Sequence, residues 1–272
     1  IEKMKHIAQF NIAGAFIFTI LILIFVKDSS DYLAVPLITS CVSLAIGIWS
    51  QVFLFREYDL PWKRPFLKDI LFQLKTGWNV FISIVAINSY TSTRIFAVGL
   101  LTNNALTGFY TIAERIANVV QTFPLSSFTQ AVFPRLSKIY EKSTHKAFEI
   151  MSQIQLITVW VSVICIPITF IFSDLIISLV CGGDYPEAVL SLKLLLISVF
   201  FVACNAFKVQ FLLVSGKSKE YSRIHLTMAS VALPLIIALI YFYSYVGAAL
   251  ATAFIEGGIF TLTFLTLRKL KF

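Results

Sequence analysis

The sequence predicts an all-α integral membrane protein of about eight transmembrane helices, and three observations predict it. Hydrophobic residues make up 58% of the 272 positions and charged ones 13%, whereas soluble domains run roughly 45–50% apolar. Eight stretches each supply the ~20 mostly apolar residues that cross ~30 Å of hydrocarbon. Lys and Arg fall almost wholly in alternate connections between those stretches, which is the charge signature of membrane topology. The longest polar interval, Arg56 to Gly77, has 22 residues, too few to bury a core of its own. A water-soluble enzyme is excluded.

The first span, Ile7 to Val26, contains no Asp, Glu, Lys or Arg. The second, Leu33 to Phe55, lies between Asp31 and Arg56 and carries Pro36 near its start. These two spans form one region, residues 1–55, and residues 56–77 form a cytoplasmic linker. Within the linker, Leu67, Ile70, Leu71 and Leu74 recur at helical spacing with Lys68, Asp69 and Lys75 opposite. That pattern predicts an amphipathic helix on the inner membrane face with Trp62 near the interface, either a lobe-to-lobe linker or a plain surface helix.

Residues 78–272 carry the other six spans: Trp78 to Leu100, Ala105 to Phe133, Met151 to Phe172, Ala188 to Val214, Ile224 to Tyr243 and Val246 to Leu267. The second, fourth and sixth of the eight spans exceed the length required, which predicts tilt or kinking. Pro36, Pro124, Pro167 and Pro234 lie inside spans, where neighbouring helices must satisfy the backbone groups they free.

Orientation follows from the basic residues. Seventeen Lys and Arg lie in one alternate set of connections and termini, and Lys27 stands alone in the other. Both ends are therefore expected in the cytoplasm. Topology accounts for the net charge of +8, and no nucleic-acid partner is expected. Cys41, Cys165, Cys181 and Cys204 are widely spaced, and His6, His145 and His225 stand in or near charged connections without ligand spacing. Neither a metal nor a cofactor is expected. The chain opens on Ile1 with no signal-peptide cleavage site, so a fragment of a longer protein is expected.

Arg94, Arg115, Lys193, Lys208, Glu114 and Glu256 remain inside spans. Charge in hydrocarbon usually faces a partner or an aqueous path. Glu256 lies ten residues into the last span, about 15 Å along a helix and near the midplane. Arg94, Lys193 and Lys208 stand nearer the span ends, where they either join a cavity or snorkel to headgroups. In the fourth span Thr107, Tyr110, Thr111, Glu114, Asn118, Gln121 and Thr122 share one helical face bordered by Arg115. This stripe lines water or substrate, or else forms a polar packing seam. Asn79, Ser83, Tyr90 and Arg94 repeat it more faintly in the third span. Four basic residues against two acids give the spans a surplus of +2, which suits an anionic substrate. No nucleotide-binding loop occurs, nothing places Glu114 and Glu256 beside a reacting group, and catalysis is not expected.

Residues 70–268 resemble the Wzx-type O-antigen and polysaccharide flippases, within the superfamily that also holds MATE-type multidrug exporters. The resemblance is strongest from Ala105 to Ser143, where Gly108, Tyr110, Ala113 and Arg115 precede Pro134-Arg135-Leu136-Ser137. It continues in the outer segment from Cys181, the basic turn from Ser215 to Arg223, and the opening of the last span from Val246. It implies twelve helices in two lobes of six around a central cavity. This chain would then hold the last two helices of the first lobe and the whole second lobe. It further implies a flippase that moves an undecaprenyl-pyrophosphate-linked oligosaccharide, an O-antigen or capsule repeat unit, across a bacterial inner membrane by alternating access, alongside membrane lipid and glycan polymerase partners. Arg115, Glu114, Tyr110, Asn118, Gln121, Arg94, Lys193 and Lys208 would line the substrate cavity, and Glu256 with Glu114 would serve ion coupling. A MATE-type cation-coupled exporter is the alternative.

Overall fold

The computed structural model describes residues 4–57 and 66–270. Among them every regular element is helical: α1 (Met4–Phe25), α2 (Ala34–Glu57), α3 (Leu67–Leu101), α4 (Asn104–Lys142), α5 (Thr144–Ile171), α6 (Ser173–Cys181), α7 (Pro186–Val214) and α8 (Ser218–Lys269), with a 3-10 turn over Ser29–Leu33. The chain divides into two compact units, Ile1–Leu71 and Phe72–Phe272.

In the first unit α1 and α2 pair through small and aromatic residues. A Cβ on Gly14 would stand 3.4 Å from the Ile46 side chain, and Phe10 meets Trp49 and Phe53 edge-on at 5.2 and 5.5 Å. Phe16, Leu23, Leu37 and Leu44 remain exposed, as suits helices whose solvent is lipid.

The amphipathic segment expected within a separate 56–77 linker is instead the opening of α3, continuous with the third span. The two helical patterns join across Gly77, where a Cβ would meet nothing within 4 Å. One glycine costs a helix only about 1 kcal/mol, too little to end it. Trp62, Lys63 and Arg64 lie outside the described residues.

The second unit is built around α7. Leu192, Leu195, Leu196, Phe207 and Phe211 of that helix are buried against α4, α5 and α8. Asn103 caps α4 by accepting from Leu106 N at 2.9 Å, and Pro186 opens α7 where its missing N–H is harmless. Gln155 of α5 donates to Ala203 O and accepts from Phe207 N at 3.2 Å. Those two groups belong to one rung of the α7 ladder, and a side chain inserted there is a recognised cause of helix bending.

The stretch Ser218–Lys269, α8, is two helices. Ser244 has φ 55° and ψ −141°, and the chain reverses there. A Cβ on Gly247 would overlap Leu239 O, and one on Gly258 would lie 2.6 Å from the Met228 side chain. Both pairs are nearly symmetric about the break, as an antiparallel hairpin requires. The second arm packs closely because Ala248, Ala249 and Ala251 are small and fully buried. These arms match the expected seventh and eighth spans.

Among the described residues, α2 (with its preceding turn), α3, α5, α7 and α8 are long and apolar enough to cross a membrane. The qualifying part of α1 is the shorter Gln9–Phe25, and the polar stripe of α4 lowers its hydrophobicity. The outer connection expected over 173–187 holds α6, which ends where Gly182 takes φ 72°. Apolar Leu175, Ile176, Ile177, Leu179 and Val180 provide its helix-forming run.

Candidate functional site

A cavity of about 410 Å³ opens among α3, α4, α7 and both arms of α8. Polar side chains reach it from four helices: Tyr90, Thr91 and Arg94 from α3; Glu114, Asn118 and Gln121 from α4; Ser198, Asn205 and Gln210 from α7; and Tyr221, His225, Thr252 and Glu256 from α8. Val199, Val202, Ala206, Val209 and Ile259 supply apolar wall between them.

Arg94 organises one side. It is 7% exposed, with Nη2 3.1 Å from Glu114 Oε1 and Nη1 donating to Thr252 Oγ1 at 2.8 Å. Thr252 Oγ1 in turn donates to Ala248 O at 2.8 Å, which leaves its lone pairs for acceptance. Tyr110 OH, 3.5 Å away, is then the donor to the same oxygen. The guanidinium thus cross-links α3, α4 and the second arm of α8. Its Nε has no hydrogen-bond partner among the described residues. Snorkelling, one of the two expectations for this residue, is not what Arg94 does.

The other side of the cavity has unfilled hydrogen-bonding capacity. Both ring nitrogens of His225 and Oδ1 of Asn205 are buried without hydrogen-bond partners among the described residues. Asn205 Nδ2 makes a long contact of 3.4 Å to Thr263 Oγ1, and His225 stacks edge-on against Tyr221 with ring centroids 4.6 Å apart. Buried groups of this kind raise the expectation of water or ligand.

The α4 stripe divides by depth. Glu114, Asn118 and Gln121 line the cavity, Tyr110 is fully buried beside it, and Thr107 and Thr111 donate to their own helix at Asn103 O and Thr107 O. Arg115 is exposed and does not line the cavity. Lys193 pairs with Asp174 at 3.2 Å, and Lys208 faces a separate pocket with Phe260. Neither meets the cavity. The basic surplus expected in the cavity is corrected accordingly: one guanidinium faces two carboxylates, because three of the four cations lie on other faces of their helices.

Sequence reasoning missed Thr252, Asn205 and His225. A lone Thr among alanines gives no periodic signal, and His225 adjoins a basic turn. Asn205, an amide in an apolar span, was the available clue.

The chain matches the family described as "Polysaccharide biosynthesis protein" over residues 1–140, which include Arg94, Glu114, Asn118 and Gln121. It belongs to that family. Two relatives named "Putative O-antigen transporter" extend the likeness through most of the remaining chain. The Escherichia coli (strain K12) protein is 25% identical over 258 residues, 92% of this chain and 60% of its own length. The Shigella dysenteriae protein is 25% identical over 261 residues, 94% of this chain and 64% of its own length. The chain therefore spans under two thirds of either relative. No solved structure matches. As a member of the polysaccharide biosynthesis family with several membrane-length helices, it is a multi-pass membrane protein.

Proposed function

We propose that the protein of which this chain is part is a flippase. It carries an undecaprenyl-pyrophosphate-linked oligosaccharide across a bacterial inner membrane by alternating access, with both ends of the chain cytoplasmic. The observation that carries the reading is Arg94, a buried guanidinium inside a polar cavity, in a chain of the polysaccharide biosynthesis family. In this account α1 and α2 close one lobe, and the six spans after them form the second lobe of a twelve-helix transporter.

The residues support distinct tasks. Arg94 offers a charge-assisted contact to pyrophosphate, which competes with Glu114 for the guanidinium. Asn118, Gln121, Asn205 and His225 present neutral donors and acceptors of the kind that sugar hydroxyls match. The lipid tail stays in the bilayer while the lobes rock. Glu256 lines the cavity without an ion pair among the described residues and is the position for a coupling cation, with Glu114 beside Arg94 as the second. A glycan polymerase receives the unit on the outer face.

Two carboxylates against one guanidinium favour a second reading, a cation-coupled exporter of the MATE type. Deleting the gene in its host separates the two. The flippase reading expects complete lipid-linked repeat units to accumulate on the cytoplasmic face and expects the full-length gene to clear them. Normal glycans with increased drug sensitivity would support the exporter and overturn the flippase.

A further inference from the structure

A second cavity, of about 590 Å³, lies on another side of α7, bordered by α5 and the second arm of α8. Its walls are apolar, including Met151, Leu156, Val159, Phe264 and Leu267. Among the described residues two cations, Lys208 and Arg268, line it, and no carboxylate does. Lys208 is half-buried, with Nζ 5.0 Å from the Phe260 ring centroid. No carboxylate pairs with either cation among the described residues. An ammonium against apolar walls calls for an anion, because ring contact alone recovers only part of the lost hydration.

The pocket opens outward, with Leu156 58% and Phe264 49% exposed, so a chain from the bilayer can lie along it. Arg268 is in the last turn of α8. Lys208 precedes the end of α7 at Val214 by six residues, about 9 Å at 1.5 Å per residue, within reach of the same headgroup plane by snorkelling. Charge-based orientation makes that plane cytoplasmic, the leaflet where basic pockets between helices meet anionic headgroups.

We propose that this pocket binds an anionic phospholipid of the cytoplasmic leaflet, with its phosphate between Lys208 and Arg268 and an acyl chain against Leu156, Val159 and Phe264. The proposal rests on the orientation given above and not on the glycan assignment. The two stand or fall separately, because lipid binding is read without transport.

The test is native mass spectrometry of the purified protein with added phosphatidylglycerol, phosphatidylcholine or polyprenyl pyrophosphate. Phosphatidylglycerol is expected to bind more tightly than phosphatidylcholine. Lys208→Met and Arg268→Met, which keep apolar bulk, should each weaken it about fivefold, while Lys208→Arg retains it. Lys193→Met should leave it unchanged, since Asp174 already meets that charge. Equal binding of both phospholipids, unchanged phosphatidylglycerol binding after loss of both cations, or variants that lose polyprenyl pyrophosphate while keeping phosphatidylglycerol would overturn the proposal. If the double variant fails to fold, the single variants decide.

Discussion

The two cavities flanking α7 treat charge in opposite ways. In the first, Arg94 is held by a carboxylate and a hydroxyl from two other helices, so its charge is part of the packing. In the second, Lys208 meets the Phe260 ring and no carboxylate among the described residues, so its charge is available to something outside the chain. A cation in a span is therefore read by the groups that meet it. Removing a paired charge strands its partner; removing an unpaired one strands nothing.

That difference can be broken or sharpened by substitution. The largest effect should come from neither cavity but from the hairpin on which the first depends. Gly247→Val places a side chain against Leu239 O, which even a Cβ would overlap, and is expected to cost on the order of 4 kcal/mol or more. Its signature would be loss of folded protein in detergent. Arg94→Ala leaves the partly buried Glu114, its side chain 13% exposed, without its cation and should cost about 3–5 kcal/mol, measured by reversible unfolding in mixed micelles. If Glu114→Gln in the same background restores most of that loss, the pair is the cause. Thr252→Val removes the acceptor shared by Arg94 and Tyr110 and should cost about 1–3 kcal/mol. Lys208→Met in neutral detergent should change stability by no more than about 0.5 kcal/mol. A penalty as large as that of Arg94→Ala would erase the distinction between the cavities.

Much of the architecture was legible because lipid imposes simple rules. Apolar runs located the membrane helices, and the short interval at residues 244–245 marked the α8 reversal. The α4 period puts Glu114, Asn118 and Gln121 on one face, and all three line the first cavity. It could not say which helices would meet that face, so the partners Thr252, Asn205 and His225 went unseen. The expectation of a cationic cavity failed for a related reason: counting charge in a span ignores direction around the helix. On α7, Val202, Ala206 and Val209 face the first cavity, whereas Cys204 and Lys208 face the second. Arg115 borders the α4 stripe in sequence, yet one residue is a turn of about 100° around a helix, and it points away.

Arg94 and Arg115 give the most direct test of the central claim, that the cavity built around Arg94 carries transport. Each would be replaced by Lys in the full-length protein, at matched membrane levels, in a host lacking the gene, and lipid-linked repeat units on the cytoplasmic face would be measured. Lysine keeps the charge but cannot reach Glu114 and Thr252 with the same fork. The account predicts accumulation with Arg94→Lys and clearance with Arg115→Lys. Clearance by Arg94→Lys with accumulation in Arg115→Lys would contradict it.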